Sequence, residues 1–444
     1  MNRSALIRLT LLAFLLRVGA AVFWSVALPR WGYGNPPELA GYVMADAYTR
    51  DTAAWELAQS GRPLGDAFGY SQAADQYGGL LWLSAGVYRL LGGHYPLVMA
   101  ALLALLASLS VPLAWAFTRR VWGARLALWT AWGVALYPEA VLLGSAHMRE
   151  GPGMTLMALG LYGAAVCAEG QRKRGAGWML LAVFLALPLS PPIAVTVALG
   201  CAVTLAVLDE WRFLRRREWQ VLLGVAGLAL VLLLWMKGGF LLSLLHNVSR
   251  YQGYLTKQAS GWVQRTFRVL PAWAQLPFLV AYGVTRPLLP AALLAGGSPL
   301  WQGIAIWRAL GWTLVLGGLM LALLRVALER AWLRLPGVWL GLILFQALVA
   351  SLRGGGDLWD SPRYRAILAF PQIALGVWGW LSQRERPSVW VPRVLQGAIL
   401  GSLWLFPWYV RRYTPLDWAV VSVFKTLGLG VVTLVLYTVM RWAG

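Results

Sequence analysis

The chain has 444 residues, 59% of them hydrophobic and only 12% charged, with a formal net charge of +21. Soluble domains carry about 45–50% apolar and about 25% charged residues, so this composition excludes a soluble globular protein and points to an integral membrane protein. The arginines fall in short segments between apolar runs, the pattern that sets orientation in a bilayer, and nucleic acid is set aside as a partner.

At the start, "MNRSALIRLTLLAFLLRVGAAVFWSVALPRW" places Arg3 and Arg8 before an apolar run too long for the core of a cleaved signal peptide; it is expected to stay in the membrane as a signal anchor. A span needs roughly 20 apolar residues to cross about 30 Å of hydrocarbon. The candidates are 5–28, 96–118, 124–144, 152–168, 219–236, 302–325, 335–351, 364–381, 393–409 and 418–440. Residues 178–208 contain "LPLSPPIAV" and lie between "QRKRG" and "WRFLRRRE", two basic segments that both belong in the cytoplasm. The number of crossings between them must be even, so two short helices are expected, joined at Pro191 and Pro192 and each too short to span fully. The same parity makes 271–295, broken by Arg286, Pro287 and Pro290, a re-entrant or interfacial segment. Cys167 and Cys201 lie inside apolar runs and read as small core residues, and the 27 tryptophans suit an interfacial belt. The expected fold is an all-α polytopic integral membrane protein: one transmembrane domain over 1–444, with about 12 membrane-inserted helices and both termini cytoplasmic.

Four segments then face outward: 29–95, 145–151, 237–301 and 352–363. The first holds six of the chain's 17 acidic residues, Glu38, Asp46, Asp51, Glu56, Asp66 and Asp75. Within it, "YVMADAYTRDTAAWELAQSG" predicts a surface helix over 46–60, capped by Asp46 and ended by Gly61. Asp46 and Arg50, one turn apart, also suit a surface ion pair. In "ALYPEAVLLGSAHMREGPG", Arg149 and Glu150 stand at a helix start, where an interfacial pair is the plain alternative to chemistry. Glu139 and Arg17 fall inside spans; an unpartnered charge there costs a few kcal/mol, so both are expected to face a polar cavity.

The interval between Glu218 and Glu329 has no acid, yet its outward part holds Lys237, Arg250, Lys257, Arg265, Arg268 and Arg286. An anion accounts for them, either a specific phosphate or lipid headgroups. His246 and Asn247 share that loop. Last, "RGGGDLWDSPRYRAILAFPQIALGVWG" brings Arg363, Tyr364 and Arg365 to the start of a span. Arginine forks bind phosphate oxygens in pairs, and the alternative is an anchor paired with Asp357 or Asp360.

Taken together these features resemble the GT-C class of membrane glycosyltransferases, particularly the bacterial relatives of protein mannosyltransferases and aminoarabinose transferases. The similarity lies in an arginine in the first span (Arg17), in "DAYTRDTAAWELAQSG" in the first loop, in Tyr137 and Pro138 followed after twelve residues by Glu150, and in "RYR.....P" from Arg363 to Pro371. Arg50, where the family often has an aromatic residue, and "DQYGGLLWL" depart from its pattern. The resemblance implies a GT-C-like bundle and transfer of a sugar from a polyprenyl-phosphate carrier to a glycan, lipid or protein acceptor at the extracytoplasmic face of the cell envelope. It implies Asp46 as the base on the acceptor hydroxyl, with Asp51 its nearest rival, and Glu150 as the residue that orients the acceptor or holds a divalent cation. Arg149, Arg363, Arg365 and Lys257 would bind the donor phosphate, with Tyr364 and His246 as further candidates.

Two rival readings remain open. "LLHNVSRYQGYL", with its His246–Asn247 pair, suits an O-antigen ligase or polymerase. A lipid-linked sugar flippase or other transporter would line its pathway with Arg17 and Glu139.

Overall fold

The computed structural model describes residues 2–69, 75–210, 212, 261–294, 297–354, 360–404, 406 and 423–442. The first helix, α1 (Arg3–Trp31), has Asn2 as its cap, whose side chain accepts from the Ala5 N–H. Leu9, Ala13, Arg17, Ala21, Trp24 and Leu28 recur at helical spacing and are buried, whereas Leu11, Leu15 and Phe23 on the other side are exposed. A helix that is apolar on both faces belongs in lipid.

The first loop carries α2 (Pro36–Leu39) and α3 (Ala45–Gln59), and α4 (Gly79–Leu91) closes it. Glu38 pins the loop to a later part of the chain: it is buried, accepts from the Trp301 indole N–H at 2.9 Å and from the Tyr33 N–H, and Tyr33 stacks on Trp301. Next come α5 (Pro96–Ser108) and α6 (Ser110–Trp122), which run on as one 27-residue apolar stretch, then α7 (Ala124–Leu136), α8 (Pro138–Ser145) and α9 (Glu150–Ala168).

Helices α7 and α8 meet at a 47° bend. Pro138 brings no N–H to the carbonyl of Val134, so the end of α7 is left with open acceptors. Arg17 fills them, donating to the Val134 carbonyl at 3.3 Å and the Ala135 carbonyl at 3.4 Å, as well as to Ala13 of its own helix at 2.9 Å. Its charge thus sits at a helix C-terminus, where a cation is favoured. Glu139, in the first turn of α8, receives both nitrogens of the buried Arg308 fork at 2.7 and 2.8 Å. Both charges meet protein partners, which corrects the expectation of a polar cavity around Arg17 and Glu139; the Arg17 Nε, also buried, makes no hydrogen bond.

The remaining described helices are α10 (Arg172–Leu189), α11 (Pro191–Leu208), α12 (Gly261–Val269), α13 (Ala272–Thr285), α14 (Leu289–Leu294), α15 (Pro299–Leu328), α16 (Leu335–Gly354), α17 (Asp360–Arg365), α18 (Ala369–Glu385), α19 (Trp390–Leu403) and α20 (Val423–Trp442). Helices α10 and α11 have 18 residues each, about 27 Å at 1.5 Å per residue. The expectation of two helices too short to span is corrected for α11 alone, which is among those long and apolar enough to cross, whereas α10 is not; the break falls at the extended Ser190, and Pro191 and Pro192 open the second helix, where a missing N–H loses nothing. Segment 271–295 is two short helices, α13 and α14, separated at Arg286 and Pro287.

Among the described residues, five helices are long and apolar enough to cross a membrane, or six if α7 and α8 form one span. The protein is thus a helical membrane protein. The predicted span 219–236 lies outside the described residues, as does part of 393–409 and of 418–440.

Without a hydrophobic force between helices in lipid, close packing of small residues holds the bundle together. A Cβ on Gly318 of α15 would meet the Gly376 carbonyl of α18 at 2.4 Å, and one on Gly163 of α9 would meet the Gly175 carbonyl of α10 at 2.8 Å. At the core, Phe117 stacks on Trp339 with centroids 5.3 Å apart, Phe370 meets both edge-on, and the Trp339 indole donates to Thr204 at 2.9 Å. This ties α6, α11, α16 and α18 together. Exposed ion pairs Arg120–Glu169 and Arg125–Glu385 mark one end of the bundle.

Candidate functional site

Three segments far apart in sequence converge on one guanidinium. Asp46, in the first turn of α3, accepts from Arg363 Nη1 at 2.9 Å, and Glu150, the first residue of α9, lies 3.0 Å from Arg363 Nε. Arg363 comes from α17, and its charged head also lies 5.0 Å above the Tyr364 ring. The arrangement is lopsided. The Asp46 side chain is 53% exposed, whereas those of Glu150 and Arg363 are 3% and 6% exposed. Glu150 Oε2 is buried and has no hydrogen-bond partner.

Behind this trio lies a second set of charges. Arg50 Nε stands 3.4 Å from Asp75, its Nη1 donates to the His147 carbonyl at 3.3 Å, and Arg149 Nη1 lies 3.6 Å from the other oxygen of Asp75. Arg149 packs over the Tyr77 ring, and its buried Nη1 has no hydrogen-bond partner. Asp75 also accepts from the Leu81 N–H at 3.3 Å, which fixes it to the start of α4. Burial alone would push the Asp46 carboxyl up; the Arg363 guanidinium, by charge and by hydrogen bond, with Arg50 and Arg149 behind it, holds it below the usual carboxylate range.

Asp46 does not cap α3. The helix starts one residue before the expected 46–60, Met44 is its cap residue, and no side chain closes the end. Nor does Asp46 pair with Arg50, which turns inward to Asp75 because its face of α3 packs against the α8–α9 turn.

Asp51 sits at the centre of a closed cluster. It is fully buried and accepts from the Tyr42 hydroxyl at 2.5 Å and from the Tyr88 hydroxyl; His94 Nε2 lies 2.6 Å away and His147 Nδ1 3.3 Å away. Burial pushes the His147 imidazole down to about 4, so it is neutral at pH 7, and its Nε2 meets Ser84 at 3.0 Å. With partners on both oxygens, Asp51 binds α3 to its neighbours and leaves an acceptor no approach.

Arg365 is likewise committed. It donates to the carbonyls of Gly283 at 2.8 Å, Val284 at 3.2 Å and Arg286, and lies 3.6 Å above the Trp312 ring. Residues two apart on a helix point in different directions, and Arg363 and Arg365 meet different partners. The Tyr364 carbonyl accepts from Gln346 at 3.0 Å. Lys257 and His246 lie outside the described residues. Among the described residues, no group of three His, Cys, Asp or Glu side chains comes together in a way that would hold a metal, and Arg363 occupies the position between the two carboxylates. The donor set does not fit a divalent cation. Asp75, Arg50, His94 and His147, which sequence reasoning passed over as site residues, join the site or its support through contacts with no local spacing.

No known family model matches the chain, and no curated protein matches it. Among solved structures, an archaeal oligosaccharyltransferase, AglB from Archaeoglobus fulgidus, in complex with an inhibitory peptide and a dolichol-phosphate, aligns over 98% of this chain and 55% of its own, with 14% identity and a TM-score of 0.38. The chain thus spans about half the length of that protein, and a likeness this distant assigns no activity.

Proposed function

We propose that the chain is a membrane glycosyltransferase that moves a sugar from a polyprenyl-phosphate carrier to an acceptor hydroxyl at the extracytoplasmic face. The observation that carries this reading is the convergence of a half-exposed carboxylate, Asp46, and a buried one, Glu150, on Arg363 at one membrane-protein site. Two carboxylates and an arginine suffice for such a transfer. Glu150 Oε2 accepts from and orients the acceptor, and Asp46 takes the hydroxyl proton as its oxygen attacks the anomeric carbon. The bond from that carbon to the phosphate oxygen breaks, its electron pair stays with the phosphate, and polyprenyl phosphate leaves. Arg363 and Arg149 balance the charge that develops there. With no covalent sugar intermediate, the anomeric configuration inverts.

The test is native mass spectrometry of the full chain in mild detergent, with polyprenyl monophosphate added. A one-to-one lipid adduct, weakened in Arg363→Lys because a point charge cannot reproduce a fork, is expected. An adduct with bulk phospholipid alone would count against the reading. Arg365→Lys, in contrast, should leave the adduct intact and lower stability by about 1–3 kcal/mol in a thermal melt, because buried carbonyls lose their donors.

A further inference from the structure

We infer that Arg363 is a latch on Asp46 which the donor's phosphate opens, so that the base is released only when a donor is bound. The inference rests on the reading of the site as a lipid-phosphate glycosyltransferase.

The two ends of the Arg363 grip are unequal. The contact with Glu150 lies between side chains 6% and 3% exposed, and the contact with Asp46 reaches a carboxylate that is 53% exposed. The Asp46 end is open to water, which screens the attraction and can solvate the released carboxylate, whereas freeing Glu150 would leave a buried charge uncompensated. An anion that competes for Arg363 therefore displaces Asp46 and leaves Glu150 in place. Arg149 adds a second positive charge for that anion: its charge acts on the Asp46 carboxylate, and its Nη1, 3.6 Å from Asp75, has no hydrogen-bond partner. A phosphate ester, with oxygens to bridge two guanidinium groups, matches this pair.

The consequence is an order of events. While Arg363 holds it, the Asp46 carboxylate is a weak base because the arginine stabilises its ionised form. Once the phosphate takes Nη1, the carboxylate is freed beside the acceptor and becomes more basic. Glu150, still anchored through Oε1, keeps Oε2 for the acceptor. An acceptor without a donor meets a base that is engaged elsewhere.

The test uses the full chain in detergent. A carbodiimide with an amine captures protonated carboxyls, and peptide mass spectrometry follows Asp46 across an acid pH series, with the exposed Glu56 of the same helix as internal control. Three arms are run: buffer, inorganic phosphate and polyprenyl monophosphate. The midpoint for Asp46 is expected to rise by about one pH unit or more with the polyprenyl phosphate while that of Glu56 stays put. A rise with inorganic phosphate as well would mean that the latch reads phosphate alone; a rise with the lipid only, that the chain must seat it. Because a nearby phosphate would also raise the midpoint through its field, a cryo-EM structure with the lipid bound is the second measurement. It should show the Arg363–Asp46 separation beyond about 4 Å, outside ion-pair range, with the Glu150 contact kept. Lipid bound with the Asp46 contact intact overturns the latch and spares the donor reading; no lipid binding at all removes both.

Discussion

Asp46→Asn is expected to lower sugar transfer by at least about two orders of magnitude, because general-base assistance contributes typically 10²–10⁴-fold. The fold should be unaffected. Asp46 makes no capping bond, its side chain is half exposed, and asparagine keeps an oxygen for Arg363, which Glu150 continues to hold. Lipid phosphate should bind at least as well as before, because a neutral amide competes less with it for Arg363. Asp51→Asn should show the opposite signature, a clear fall in melting temperature, because one oxygen that now accepts from a tyrosine hydroxyl or faces histidine becomes a donor amide in a closed cluster. The ionisation of Asp46 also sets the acid limb of the reaction. Its folded-state value is depressed, so the base is ionised at neutral pH, and kcat/KM falls only as pH drops through that depressed value. Single-turnover transfer, donor binding and thermal melting on both variants, with His246→Ala alongside, separate these roles. A well-folded Asp46→Asn protein with normal transfer would end its assignment as base, and an inactive His246→Ala would bring forward the ligase reading.

The second large effect concerns stability. Arg308→Met leaves the buried Glu139 without its fork and should cost about 3–5 kcal/mol, read as a marked loss of melting temperature in detergent. Adding Glu139→Gln should recover most of the loss, since the uncompensated charge disappears with its partner. A transporter that uses these charges as a pathway would instead lose transport in both variants at little cost to the fold. Their mutual bidentate contact, and the use of Arg17 to close the carbonyls at the α7–α8 bend, speak for an architectural role.

What could be read from the sequence follows the range of the forces involved. The helix expected over 46–60 lies at 45–59, because its alternation of small and polar residues and its Ser-Gly ending are local, although the expected Asp46 cap is not made. The need for partners at Glu139 and Arg17 was also legible, since the bilayer penalises any free charge, but the identity of the partner was not: Arg308 is 169 residues from Glu139. At the site, spacing misled. Asp46 and Arg50 are four apart and suggest a pair, yet α3 turns Arg50 toward Asp75 and offers Asp46 to a guanidinium 317 residues away. Helical geometry did hold one unused clue, that Arg363 and Arg365, two apart, point in different directions. The break near Pro191 was placed one residue late, because prolines begin helices as readily as they end them.

Transfer of sugar from a lipid phosphate by this chain is measured most directly by following the sugar itself. The full chain, wild type and Asp46→Asn, is reconstituted into vesicles with polyprenyl-phosphate-linked radiolabelled sugars and an envelope extract as acceptor. Wild type should move label from the lipid to the acceptor fraction, releasing polyprenyl phosphate, and Asp46→Asn should leave it on the lipid. Label that crosses the bilayer still attached to its lipid, equally in both proteins, would contradict the account.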